Sequence, residues 1–133
     1  MGLRRDNVPE NIRRRMSAAD RKKYGLLPEE VLAENIVREE KTLHKQIFAL
    51  LRRREVPYVH AAMFKKSQLP PGWPDFTFLY RGVGLGWECK VGRGKLSPHQ
   101  IARHEVMRNQ GWRISEIRSL DEAQRILDAL DEA

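Results

Sequence analysis

Apolar residues recur at spacings of three, four and seven through the second quarter of the chain, at Leu32, Ile36, Leu43, Ile47, Leu50 and Leu51. That period describes one face of an α-helix. Pro28 suits the first helical position, so a helix is predicted from Pro28 to about Arg54, long enough to accommodate a kink. The period then shortens. "VPYVHAAMF" (56–64) has the β-branched and aromatic content of a strand, and "KKSQLPPGW" after it is a loop that its prolines and glycine keep irregular. "PDFTFLY" (74–80) and "LGWECKV" (85–91) are apolar runs of strand length, and the "RGVG" between them predicts a hairpin. Ser97, Pro98 and Gln100 supply an N-cap, a first-turn proline and the third position of a capping box for a helix running to Gln110 and stopped by Gly111. "WRISEIR" (112–118) predicts a fourth strand, and Ser119 with Glu122 a second capping box opening a final amphipathic helix. The expected order is α, β, β, β, α, β, α.

The first 25 or so residues follow neither period. Pro9 and Ser17 each suit a short helix start and Gly25 a stop, which predicts a basic arm over residues 1–30 and one folded domain over 31–133. A length of 133 residues suits a single core. No apolar run approaches the roughly 18 residues of a membrane span, and the basic start lacks the apolar segment of a signal peptide. The lone Cys89 rules out an internal disulfide and a cysteine-based zinc ribbon. His60, His99 and His104 have no usable ligand spacing, so no zinc site is expected. These features predict a cytoplasmic protein without a membrane partner.

Charge changes the picture further. The net charge is +7, and residues 1–66 hold 16 Lys and Arg against 9 Asp and Glu, whereas the remainder is balanced at 9 against 9. The surplus is clustered at Arg4 and Arg5, at Arg13, Arg14 and Arg15, at Arg21, Lys22 and Lys23, at Arg52, Arg53 and Arg54, and at Lys65 and Lys66. Any one cluster suits a solvated helix face, but five of one sign in 66 residues favour a phosphate-backbone partner. Arg13 to Arg15, Lys22, Lys23, Arg52 to Arg54, Lys65 and Lys66 are therefore candidate DNA contacts.

Three charges sit where the apolar pattern predicts buried strands. Glu88 and Lys90 share a strand face while Cys89 points the other way, and a hairpin would bring Asp75 across from Glu88. Two carboxylates about 4 Å apart repel by roughly 4 kcal/mol at an effective dielectric of 20. Lys90 offsets part of this, but a hard divalent ion such as Mg²⁺ or Mn²⁺ fits oxygen ligands better and can activate water against a phosphodiester.

The order Pro74-Asp75, then Glu88-x-Lys90 on the next strand, resembles the PD-(D/E)xK nuclease superfamily. Gly72, the short hairpin and "LSPHQ" (Leu96 to Gln100) opening the next helix resemble its VRR-NUC branch, the virus-type replication and repair nucleases. An upstream helix with Glu40, Leu43 and His44 matches that branch too, with His44 standing where the family more often has Gln. The resemblance covers about residues 38–128. It implies an α/β, restriction-endonuclease-like core of order αβββαβ with an added C-terminal helix. It also implies a metal site of Asp75, Glu88, Glu40 and the Cys89 backbone carbonyl, Lys90 acting on water or phosphate, and Gln100 reaching the site. Stand-alone members are phage or prophage proteins that act as homodimers on branched DNA such as Holliday junctions, which implies the same here.

Several residues keep a second reading. Glu39 and Glu40 both flank the apolar stripe, and only the motif spacing favours Glu40. Gln100 is open between a capping role and the site, His44 between a phosphate contact and the core edge, Trp73 between loop packing and stacking on a base. For the whole chain, a same-fold nuclease with nicking, restriction-like or single-strand specificity and a non-catalytic basic DNA-binding protein remain alternatives.

Overall fold

The computed structural model describes the backbone from Glu29 to Ala133, with side chains from Asn35 onward except that of Lys66. The expected basic arm, with Arg13, Arg14, Arg15, Lys22 and Lys23, and the Lys66 side chain lie outside the described residues. Two units are distinguished, Met1–Arg38 and Glu39–Ala133. Of the first, the described part is the opening of α1 (Glu29–Arg53), which is one helix of 25 residues.

Within the second unit, α1 buries Leu43, Ile47, Leu50 and Leu51, four of the positions its sequence period selects, whereas Ile36, earlier in the same period, is exposed. It closes with Glu55 in the left-handed region (φ 58) and the Val56 amide donating to the Leu51 carbonyl at 2.9 Å. This is a Schellman-type stop carried by a residue other than the usual glycine.

Four strands follow: β1 (Tyr58–His60), β2 (Phe76–Tyr80), β3 (Val83–Cys89) and β4 (Arg113–Ile117). They form one sheet in the order β1-β2-β3-β4, antiparallel except for the parallel β3–β4 pair. That parallel pair needs a crossover, which α2 (Pro98–Asn109) supplies. The chain ends in α3 (Leu120–Glu132). The element order is the expected one, a mixed α/β fold with a four-stranded sheet flanked by helices.

Three details differ from expectation. β1 is only three residues long: the Ala61 amide still makes the next ladder bond, to the Asp75 carbonyl at 2.8 Å, but Ala61–Met63 coils into a 3₁₀ turn and pairing stops there. The hairpin is tighter than "RGVG" suggested. Pairing continues to Tyr80–Val83, and Arg81 and Gly82, at φ 48 and 79, form a two-residue turn with the primed backbone that matches strand twist. At α3, the Ser119 hydroxyl accepts from the Glu122 amide, but Glu122 accepts from the Arg118 amide, one residue before the cap.

The sheet has two unlike faces. Phe76, Phe78, Leu85, Trp87, Cys89 and Ile117 pack with the apolar faces of α1 and α3 into the main core. The opposite face carries Thr77, Gly86, Glu88 and Ile114. There α2 brings His104 to Glu88, and Pro74 and Ile114 press so close on Gly86 that a Cβ would collide with Ile114.

The α2 capping box forms as read: the Ser97 hydroxyl accepts from the Gln100 amide at 3.2 Å, and Gln100 Oε1 accepts from the Ser97 amide at 2.8 Å. Ser97→Ala should lower folding stability by about 1 kcal/mol, measured by denaturant unfolding.

Candidate metal and nucleic-acid site

Asp75 lies one residue before β2, directly across from Glu88 by the register that pairs Phe76 with Trp87. The two are bound reciprocally. The Asp75 amide donates to Glu88 Oε2 at 3.2 Å, and the Cys89 amide donates to Asp75 Oδ2 at 2.8 Å. Backbone donors thus fix both carboxylates at the mouth of the hairpin, independent of side-chain packing.

On the α2 side, Gln100 Nε2 donates to Glu88 Oε1, Lys90 Nζ stands 4.0 Å from the same oxygen, and His104 Nε2 lies 3.8 Å from Oε2. Gln100 makes contacts on both sides: its carbonyl oxygen caps the helix and its amide nitrogen donates to Glu88. On the α1 side, His44 Nε2 is 3.5 Å from Asp75 Oδ2, and His44 Nδ1 is 2.8 Å from His60 Nε2. His60 is 7% exposed, stacked on Phe76 with ring centroids 4.6 Å apart, and its Nδ1 has no hydrogen-bond partner among the described residues. The sequence did not single out His60 for the site, because its partner depends on the β1–β2 register and the rotation of α1 together.

Glu88 is 3% exposed. Burial pushes its carboxyl up to about 8; the Asp75 charge adds to the shift, Lys90 and the Asp75 amide oppose it, and Glu40 adds a little more. Glu40 thus acts on this cluster, whereas Glu39 lines a separate groove with Gln46, Val91 and Arg118. Burial, with Asp75, Glu88 and Glu40, likewise pushes the Cys89 thiol up.

Burial accounts for most of this rise and the Asp75 charge for a further part, and a cation held between the two carboxylates would offset both. Asp75 and Glu88 supply hard carboxylate oxygens of the kind that Mg²⁺ and Mn²⁺ take. The side chains are not all drawn to one point, however. Among the described residues, the group whose donor atoms lie within 4.8 Å of one another is His44, Asp75 and Cys89. Glu88 and Glu40 stand outside it, and the Glu88 oxygens are directed toward the Asp75 amide and Gln100 instead.

The raised Glu88 carboxyl has a measurable consequence without metal. Its ordinary value is 4.5 and its folded value about 8, so the folded state holds the proton more tightly. Its contribution to stability is fully present below about 4.5 and is lost as pH rises through about 8. His60 and His104, lowered from 6.5 chiefly by burial, act oppositely, losing stability as pH falls below that value. The Glu88 share is therefore the difference between the native protein and Glu88→Gln in denaturant unfolding with EDTA across this range. The native-minus-variant stability should decline with rising pH.

A cleft of about 630 Å³ opens on the carboxylates, with Asp75, Glu88 and Gln100 on its floor and Phe64, Lys65 and Trp73 among its walls. Arg52 and Arg53 are exposed at the end of α1. Arg54 is not available in the same way: its guanidinium bonds Asp128 at 2.6 Å and Asp131 at 3.1 Å. Tyr80 and Arg81 converge on Asp131 as well, at 2.6 and 2.5 Å. Arg54 reads as part of a basic run in sequence, but in the fold it is a structural ion pair with acids more than 70 residues away. Trp73 packs edge-on toward Trp112, ring centroids 6.5 Å apart, and so has loop packing as well as a place in the cleft wall.

No protein-family model matches the chain, and no curated protein matches its sequence. A solved structure described as a "VRR_NUC domain protein" is similar to it at 26% identity and a TM-score of 0.41 over 56% of this chain. The alignment covers 64% of that chain, less than two thirds of its length. Among the described residues, no helix is long and apolar enough to cross a membrane.

Proposed function

We propose that this domain is a divalent-metal-dependent endodeoxyribonuclease. The observation that carries the reading is the reciprocal lock of Asp75 and Glu88 at the ends of paired strands, with Lys90 beside Glu88 and a cleft opening onto both. Asp75, Glu88, Glu40 and the Cys89 carbonyl would hold Mg²⁺ or Mn²⁺, which when bound supplies Lewis acidity and an activated water. Asp75 and Glu88 present the negative charge that holds such an ion, and Gln100 and the backbone amides stop their oxygens from swinging away. The Lys90 ammonium lies where it can steady the attacking water or the growing charge on a phosphate. Arg52, Arg53 and Lys65, with the basic arm, would grip the DNA backbone without reading sequence.

The finer substrate is branched DNA of the Holliday-junction kind, cut by a homodimer in a phage- or prophage-bearing bacterial cytoplasm. This part rests on the motif resemblance. The test is incubation of the native protein and Asp75→Asn with four-way junction, duplex and single-stranded DNA, each with Mg²⁺, Mn²⁺ or EDTA. Junction-selective cutting, lost with EDTA and in the variant, is expected. Cutting of duplex or single strands instead would move the substrate, and salt-sensitive binding without cutting in every lane would leave a DNA-binding protein in place of a nuclease.

A further inference from the structure

We propose that His44, Asp75 and Cys89 form a second type of metal site, one for a thiophilic divalent ion of the Zn²⁺ class, which competes with the hard ion of the nuclease reading for Asp75. The three residues come from α1, from the entry to β2 and from the end of β3, and their donor atoms lie within 4.8 Å of one another. An imidazole, a carboxylate and a thiolate with one position left open is a donor set that suits Zn²⁺ and does not suit Mg²⁺.

The spacing supports this. His44 Nε2 and Asp75 Oδ2 are 3.5 Å apart, long for a hydrogen bond. Two ligands each about 2.0 Å from a tetrahedral ion stand about 3.3 Å from one another. The outer contacts are in place as well. The other nitrogen of His44 reaches His60 Nε2 at 2.8 Å, a distance at which His44 Nδ1–H can donate to the His60 ring nitrogen. A ligating histidine fixed through its second nitrogen is the usual arrangement at such ions. Asp75 Oδ2 is steadied by the Cys89 amide.

The local charge fits a dication too. Asp75 brings a carboxylate to the group, and a dication would offset its charge. On binding, the S–H bond gives way to a metal–sulfur bond and the proton leaves to solvent. Cys89 is 2% exposed, but Asp75 lines the open cleft, which gives the ion a way in. This site does not depend on the nuclease reading; only its inhibitory effect rests on that reading.

Co²⁺, titrated into the full chain without DNA, is the spectroscopic probe. A thiolate-to-cobalt charge-transfer absorption should grow to one equivalent, be displaced by Zn²⁺ and withstand excess Mg²⁺. His60→Phe, which keeps the aromatic packing, should weaken Co²⁺ binding about 10- to 100-fold. His44→Gln, which removes a direct ligand and keeps the thiol, should weaken it more than His60→Phe does. Cys89→Ala should abolish the absorption. In cleavage assays with Mg²⁺ in excess, Zn²⁺ should inhibit the native protein, and His44→Gln should be less sensitive relative to its own uninhibited rate. A native protein that gives no thiolate absorption, or His44→Gln binding Co²⁺ as tightly as the native chain, overturns the site while leaving the nuclease reading intact. Cobalt binding as described in a protein that cuts no DNA overturns the nuclease reading and leaves the site standing.

Discussion

Lys90→Met should lower the single-turnover rate of DNA cleavage by roughly 100- to 1,000-fold, the usual cost of removing one group that stabilises transition-state charge. Methionine keeps the unbranched stem, so packing is retained at a side chain that is 15% exposed. What disappears is the ammonium, with two effects. In the proposed reaction one positive charge is lost from beside the phosphate, and Glu88 loses the neighbour that holds its carboxyl down against burial and the Asp75 charge. The variant should thus need more Mg²⁺ for half-maximal rate as well as being slower at saturation. DNA affinity, measured with Ca²⁺ in place of Mg²⁺, should change little, because one ammonium adds little to binding by a whole basic surface. An unchanged cleavage rate would remove Lys90 from the mechanism.

Gly72→Ala should cost about 2–5 kcal/mol of stability and most of the activity. Gly72 has φ +79, and a Cβ there would collide with the carbonyl of His99 and lie 2.8 Å from the Gln100 amide. Neither obstacle is a flexible side-chain end; both are backbone in the first turn of α2. The strain is relieved only if the start of α2 withdraws, taking Gln100 off Glu88, or if the loop carrying Asp75 shifts. Thermal melting and cleavage should therefore both suffer, whereas Gly82→Ala, where the added Cβ meets nothing within 4 Å, should pay only for its positive φ and leave the site in place. Equal losses for the two variants would show that the tight contact between Gly72 and α2 does not position the site.

Much of the fold was legible because its signals are local. The 3.6-residue period of α1, the Ser97 cap and the apolar runs of β2 and β3 each depend on a few neighbouring residues. The short β1 was overread because "VPYVHAAMF" carries strand propensity throughout, while the chain leaves the sheet at the 3₁₀ turn of Ala61–Met63, which that propensity does not announce. The pairing of Asp75 with Glu88 was legible for a related reason: a tight hairpin fixes register, and register fixes which residues face each other. His60, His104 and Arg54 were not legible in their observed roles. Each is placed by helix rotation or by a partner far along the chain, and a basic run reads the same whether or not one member is already neutralised. The side chain of Cys89 reads as core filler, and its place beside His44 appears only once α1 is laid against the sheet.

The cluster of Arg54, Tyr80 and Arg81 around Asp131 joins positions 50 to 77 residues apart. Loop closure over such separations favours late formation, so Asp131→Ala should raise the unfolding rate more than it slows folding, measured by stopped-flow in denaturant.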